Sequence, residues 1–131
     1  MIKSAFLSQN EWTPEDIESL KYLVLYDWFG EADQEFRAPG CLRLAFHDCV
    51  GGCDGCINFG NAANGGLQEA YEPFNVLYGE TFPFNGKTMS RADFINLAGI
   101  VAVEYSIDFN NANCQDPDCQ MPLVRRIKSS R

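Results

Sequence analysis

An arginine and a histidine stand four residues apart in the run Cys41-Leu-Arg-Leu-Ala-Phe-His-Asp-Cys49. The run contains no breaker, and its Leu, Arg and Ala favour helix over the β-branched composition of a strand. On a helix Arg43 and His47 share one face, with Cβ atoms about 5–6 Å apart and Phe46 beside them. A guanidinium set among Leu42, Leu44, Ala45 and Phe46 is expected to face an anion, a carboxylate or a cavity in which charge develops. A histidine on an apolar helix, taken alone, is more often an ordinary hydrogen-bonded core residue, so the chemistry rests on the pair.

His47 is the single histidine of the chain, which excludes for these residues alone any mechanism that needs two imidazoles at one metal. The six cysteines, an even number in 131 residues, read by default as disulfides formed in an oxidising, extracellular setting. Three of them, Cys49-x3-Cys53-x2-Cys56, also have the spacing that holds a [4Fe–4S] cluster in radical S-adenosylmethionine enzymes. Those enzymes carry the motif on a large α/β barrel, which a chain of this length without alternating strands and helices does not build. A zinc site formed by three of these thiolates and His47 is the other metal reading.

At 46% hydrophobic the chain can bury a core and is long enough for one small domain. With 18 acidic against 10 basic side chains, its formal charge of −8 argues against a nucleic-acid partner and an anionic membrane surface. No stretch approaches the length of a membrane span. Met1 to Gln9 has one lysine and no sustained apolar run, so it does not qualify as a secretory signal, and the sequence is expected to begin after cleavage or to be incomplete.

The elements that must position Arg43 and His47 are announced by helix ends. Thr13-Pro14-Glu15-Asp16 offers an N-cap, a proline at the first helical position and acid in the first turn. Ile17, Leu20, Leu23, Val24 and Trp28 then keep a helical period up to Gly30. Glu31 to Gly40 reads as loop, Val50 to Gly66 as a cysteine-pinned loop rich in Gly and Asn, and Leu67 to Tyr78 as a helix that Pro73 should end or kink. Phe82 to Gly86 reads as a turn. Ser90 caps a second strong helix, with Asp93 three residues on, Met89 and Phe94 at the staple positions, and Ile95, Leu97, Ala98, Val101, Ala102 and Tyr105 on its apolar face. Beyond Asp108 the text reads as Asn- and Cys-rich loop, closing in a basic tail over 120–131 that is expected to be disordered. Four helices without a hairpin signal make the fold all-α.

The segment Leu42 to Cys49 resembles the distal helix of the plant-type haem peroxidases. The match continues in order through Gly52-Cys53-Asp54-Gly55, Asn64-Gly65-Gly66-Leu67, and the helix from Ser90-Arg-Ala-Asp93-Phe to Ala98-Gly-Ile-Val-Ala-Val-Glu104. Phe46 before the histidine is similar to the secreted classes, and the cysteine content is similar to that of peroxidase-like proteins of aquatic invertebrates. The resemblance covers roughly residues 14 to 120 and only the distal half of a family member, so residues 1–131 are expected to form one partial peroxidase domain. It implies an extracellular enzyme that uses haem b to reduce hydrogen peroxide while oxidising a small organic, phenolic donor.

The resemblance also assigns roles. His47 would take a proton from one peroxide oxygen and return it to the leaving oxygen, and Arg43 would stabilise the negative charge that the leaving oxygen develops. Asn64 would accept a hydrogen bond from the other ring nitrogen of His47 and fix its tautomer. Arg43, Phe46, His47 and Asn64 would face the haem. Asp48, the Gly52 carbonyl and Asp54 match positions that ligate a calcium ion, although Cys56 stands where the family has a hydroxyl ligand. Cys49 and Cys53 are expected to close their loop as a disulfide, and Cys41 to pair with Cys114 or Cys119. The iron's proximal histidine has no counterpart here, because nothing after Glu104 is a histidine. The reading opposed to the enzyme is a non-catalytic, acidic, disulfide-stabilised matrix or calcium-associated protein derived from a peroxidase.

Overall fold

The structure, a computed structural model, describes residues 11–29, 37–114 and 118. Its first helix, α1, spans Pro14–Tyr22 and continues as a π-helical segment over Leu23–Trp28. Then follow α2 (Arg37–Val50), α3 (Leu67–Thr81) and α4 (Arg91–Asn113), with a short 3-10 turn at Ala62–Asn64. The described residues contain no β-strand, as the all-α expectation required.

Local sequence accounts for where the helices begin. Thr13 caps α1 reciprocally: its hydroxyl accepts from the Asp16 amide at 3.2 Å, and the Asp16 carboxylate accepts from the Thr13 amide at 3.2 Å. Ser90 caps α4 through the Asp93 amide at 3.0 Å. The turn between α3 and α4 closes at Asn85-Gly86, both at positive φ, with Phe84 and Lys87 exchanging two backbone hydrogen bonds.

Four expectations need correction. Residues 37–40 are the first turn of α2 rather than loop. Pro39 is tolerated there because a first-turn amide has no intrahelical acceptor to lose. Of the two outcomes read for Pro73, an end to the helix is the one that does not occur, since α3 runs through it to Thr81. The hydrogen bond it forfeits is offset by full burial of Leu67 and Phe74, each contributing about 1.5–3 kcal/mol. The helix read up to Gly30 changes to π-helical hydrogen bonding after Tyr22, closing with Phe29 N–H on the Val24 carbonyl at 2.9 Å. Finally, α4 runs through Asp108 to Asn113, supported by the stacked Tyr105 and Phe109 rings and by the Asn113 side-chain Nδ2 donating to the Phe109 carbonyl at 2.8 Å. The tail at 120–131 lies outside the described residues.

The core lies where α2, α3 and the π-helical segment meet α4. Leu20, Val24, Phe29, Leu44, Phe74, Phe94 and Val101 are fully buried in one cluster. Helix α4 buries Phe94, Ile95, Leu97, Ala98, Val101 and Ala102, matching the apolar face read from its sequence except for the partly buried Tyr105. Small residues permit close approach of helices at two points. A Cβ on Gly40 would stand 3.0 Å from the Ala70 Cβ, bringing α2 against α3, and one on Gly99 would stand 2.8 Å from the Ala45 Cβ, bringing α4 against α2.

Candidate active site

Helix α2 carries the candidate residues on opposite sides. Cys41, Leu44 and Asp48 turn inward and are buried. Leu42, Arg43 and Phe46 are exposed, Phe46 at 66%, and His47 is half-buried beside them. Arg43 is therefore not enclosed by its apolar sequence neighbours: Leu44 points into the core, away from it. Phe46 meets His47 edge-on, with ring centroids 5.8 Å apart.

The loop after α2 folds back to meet this face. It is built from side chains bonding to backbone two residues on: Asp54 to the Cys56 amide, Asn58 to the Gly60 amide and Asn61 to the Ala63 amide. The 3-10 turn that Asn61 caps delivers Asn64 to His47, whose Nδ1 lies 2.8 Å from Asn64 Oδ1. Asn64 Nδ2 donates to the Asn58 carbonyl at 2.8 Å. That carbonyl can only accept, so it decides which end of the amide faces the imidazole. Oδ1 faces His47, so Nδ1 is the nitrogen that donates, and in the neutral form of the ring the lone pair falls on Nε2. The second ring nitrogen therefore lies on the far side of the ring from Asn64.

Arg43 is steadied by the same loop. Its Nη2 donates to the Ala63 carbonyl at 3.4 Å, one residue before Asn64. Gly66 lies at φ 80, where a side chain would be strained, and a Cβ there would stand 3.5 Å from Arg43 Nη1. Residues 58–66 thus hold both members of the pair. The supporting carbonyls of Asn58 and Ala63 were not legible in the sequence, because a backbone acceptor has no residue-type signature; only the turn-rich composition hinted that this stretch folds tightly.

The other face of the loop is anchored by Asp48. Its Oδ1 accepts from the Gly55 amide at 2.8 Å, and its backbone carbonyl accepts from the Cys53 amide at 2.8 Å. Gly55, at φ 78, rests on the start of α4, where a Cβ would stand 3.1 Å from the Ala92 amide nitrogen. Asp48 Oδ2 is buried with no hydrogen-bond partner. Burial pushes the Asp48 carboxyl above the usual carboxylate range, the Gly55 bond opposes that rise and the nearby Asp54 charge adds to it.

The cysteines divide unequally. Cys49 and Cys53 form a disulfide, as expected, which removes two of the three thiolates that an iron–sulfur or zinc site would need. No group of three or more His, Cys, Asp or Glu side chains suited to a metal ion occurs among the described residues. Cys56 is a free, exposed thiol, and Cys114 is disulfide-bonded. Cys41 is also free, contrary to the expected pairing with Cys114 or Cys119. It is packed into the core at 1% exposure, where burial pushes its thiol up to about 12.

No helix among the described residues is long and apolar enough to cross a membrane. No curated protein and no solved structure matches the chain. Residues 24–126 match the family described as Peroxidase, a span that takes in α2, the whole supporting loop, α3 and α4. With most of its length inside that match, the chain belongs to the peroxidase family.

Proposed function

We propose that this chain supplies the acid–base side of a haem peroxidase, reducing hydrogen peroxide while a small phenolic donor is oxidised. The observation that carries the reading is the His47–Asn64–Asn58 series, which leaves a proton-free Nε2 on the helix face shared with Arg43. The residues fit a haem on this side: Phe46 presents a large apolar ring to the exterior next to a base and a cation, the chemistry of a macrocycle's covered face. When bound, haem supplies the redox-active iron at which peroxide is reduced and the donor oxidised.

The chain's own residues manage the proton and the charge. His47 Nε2 takes the proton from one peroxide oxygen and returns it to the other as the oxygen–oxygen bond breaks. Arg43 stabilises the negative charge that accumulates on the departing oxygen. Asn64 keeps Nδ1 protonated, so that Nε2 is the nitrogen that exchanges the proton. In this reading His47, the single histidine of the chain, acts as the base and so would not also hold the iron.

The loop beneath the site suits a calcium ion. Asp48 Oδ2 is a buried oxygen without a partner, and Asp54 stands near enough to raise the Asp48 pKa. Together with the Gly52 carbonyl these are the hard oxygens that such an ion would take in this reading, and calcium is expected to raise the melting temperature of chelator-treated protein. An extracellular setting agrees with the Cys49–Cys53 disulfide.

The test is haem reconstitution followed by rapid mixing with peroxide. A Soret band that changes on peroxide addition, and a His47→Leu variant that binds haem but reacts more slowly by several orders of magnitude, are the expected results. Failure to bind haem would favour the non-catalytic, acidic extracellular module. An unchanged rate in His47→Leu would remove that residue from the mechanism.

A further inference from the structure

Tyr22 and Tyr26 lie on the outside of the molecule, where α1 passes into the π-helical segment. They are 55% and 48% exposed, and neither belongs to the buried cluster or packs against it. Their ring centroids are 4.3 Å apart and their planes 39° from each other. No other ring pair among the described residues is as close; the next, Phe82 and Phe94, stands at 5.0 Å. Unbonded aromatic pairs usually keep roughly 4.5–7 Å between centroids, so these two phenols lie at the near edge of contact. The remaining tyrosines are differently placed: Tyr71 packs on Phe59, Tyr78 donates to the Met89 carbonyl, and Tyr105 lies between Phe29 and Phe109.

The change of helix type supports the same reading. A π-helical turn gives up regular hydrogen bonding and is found often at functional positions. Here the change begins directly after Tyr22 and includes Tyr26, and the inner face of the same turn is held by the buried Val24 and Trp28. The backbone beneath the two phenols is therefore anchored while their rings remain accessible.

We infer that Tyr22 and Tyr26 form an oxidative cross-linking site, at which a one-electron oxidant converts the two phenols into an intramolecular dityrosine. Each phenol gives up one electron and its hydroxyl proton, and the paired radicals form one carbon–carbon bond between ring carbons ortho to the hydroxyls. Each of those carbons then loses its hydrogen as the ring regains aromaticity and the hydroxyl is restored. Two hydrogens leave in total, and one hydrogen peroxide accepts them to become two waters. That the oxidant is made by the chain itself rests on the peroxidase reading; the site does not, because any one-electron oxidant of phenols serves. The product fixes the junction between α1 and the π-helical segment with a covalent bond across one helical turn.

The test uses the full chain in two arms. In the first, photolysis of a ruthenium tris-bipyridyl complex with persulfate supplies the oxidant. No Lys or Arg lies between Lys21 and Arg37, so trypsin leaves both tyrosines in one peptide. The expected result is dityrosine fluorescence in monomeric protein and loss of two hydrogens from that peptide, abolished in both Tyr22→Phe and Tyr26→Phe and retained in Tyr71→Phe. Cross-links that join separate chains only, or that persist in either of the first two variants, would overturn the site. In the second arm the haem-loaded chain receives hydrogen peroxide alone. The same link is expected there; its absence, with the first arm positive, counts against the peroxidase reading and leaves the site standing.

Discussion

Gly99 of α4 faces Ala45 of α2 so closely that a methyl group on Gly99 would stand 2.8 Å from the Ala45 Cβ. Two residues beyond Ala45 on the same helix lies His47, and the helix that carries it is seated by this contact. Gly99→Ala is expected to destabilise the fold by about 1–3 kcal/mol through overpacking, since neither backbone can yield without disturbing the buried Ala98, Val101 and Leu44. Urea denaturation of the variant measures this. Ala45→Gly in the same chain should restore part of the loss, and a lack of restoration would place the clash elsewhere.

In the proposed reaction Asn64 positions His47 rather than touching the peroxide. Replacing it with alanine removes the acceptor that holds the proton on His47 Nδ1, and the second-order rate constant with peroxide should fall by about 10–100-fold. Asn64→Asp keeps an oxygen for Nδ1 while losing the donor to the Asn58 carbonyl, so its rate should lie between those of the alanine variant and the unaltered chain. Stopped-flow absorbance of the haem-loaded proteins would show it.

Asp16 ties α1 to the turn before α4. Lys87 is its first partner, and bonds from Thr13 and Asn85 add to it, so that together they hold the Asp16 carboxyl well below the usual carboxylate range. A depressed pKa contributes stability that is fully present above about pH 4, the unfolded value, and is lost as pH falls through the lower folded value. Asp16→Asn should therefore be less stable than the unaltered chain at neutral pH, with the difference shrinking as the solution is acidified below pH 4. Thermal melts at several pH values test this, and a difference that grows on acidification would contradict the sign.

The two free thiols of the described residues should separate by rate. Cys56 is exposed and is expected to react with a thiol reagent in the folded state. Cys41 is sealed in the core with its thiol pushed up to about 12, so its labelling should follow the unfolding rate. Prompt reaction of both would mean that α2 does not dock as described.

Much of this was legible in the amino-acid sequence. Thr13 and Ser90 marked helix starts because a capping side chain acts within its own turn, and the apolar periods of α1 and α4 named most of the buried residues because helical spacing is a local property. The Arg43, His47 and Asn64 constellation was readable for a similar reason: the first two share a helix face by spacing, and the third was implied by resemblance. What required the tertiary structure depends on groups that are far apart in sequence or carry no residue-type signal. The first turn of α2 before Cys41, the persistence of α3 through Pro73 and the extension of α4 beyond Asp108 are settled by packing or by bonds that outweigh local propensity. The free state of Cys41 follows from the direction α2 turns it, and spacing cannot foretell that. Which nitrogen of His47 holds its proton is decided by the carbonyl of Asn58, a backbone atom to which the sequence assigns no name.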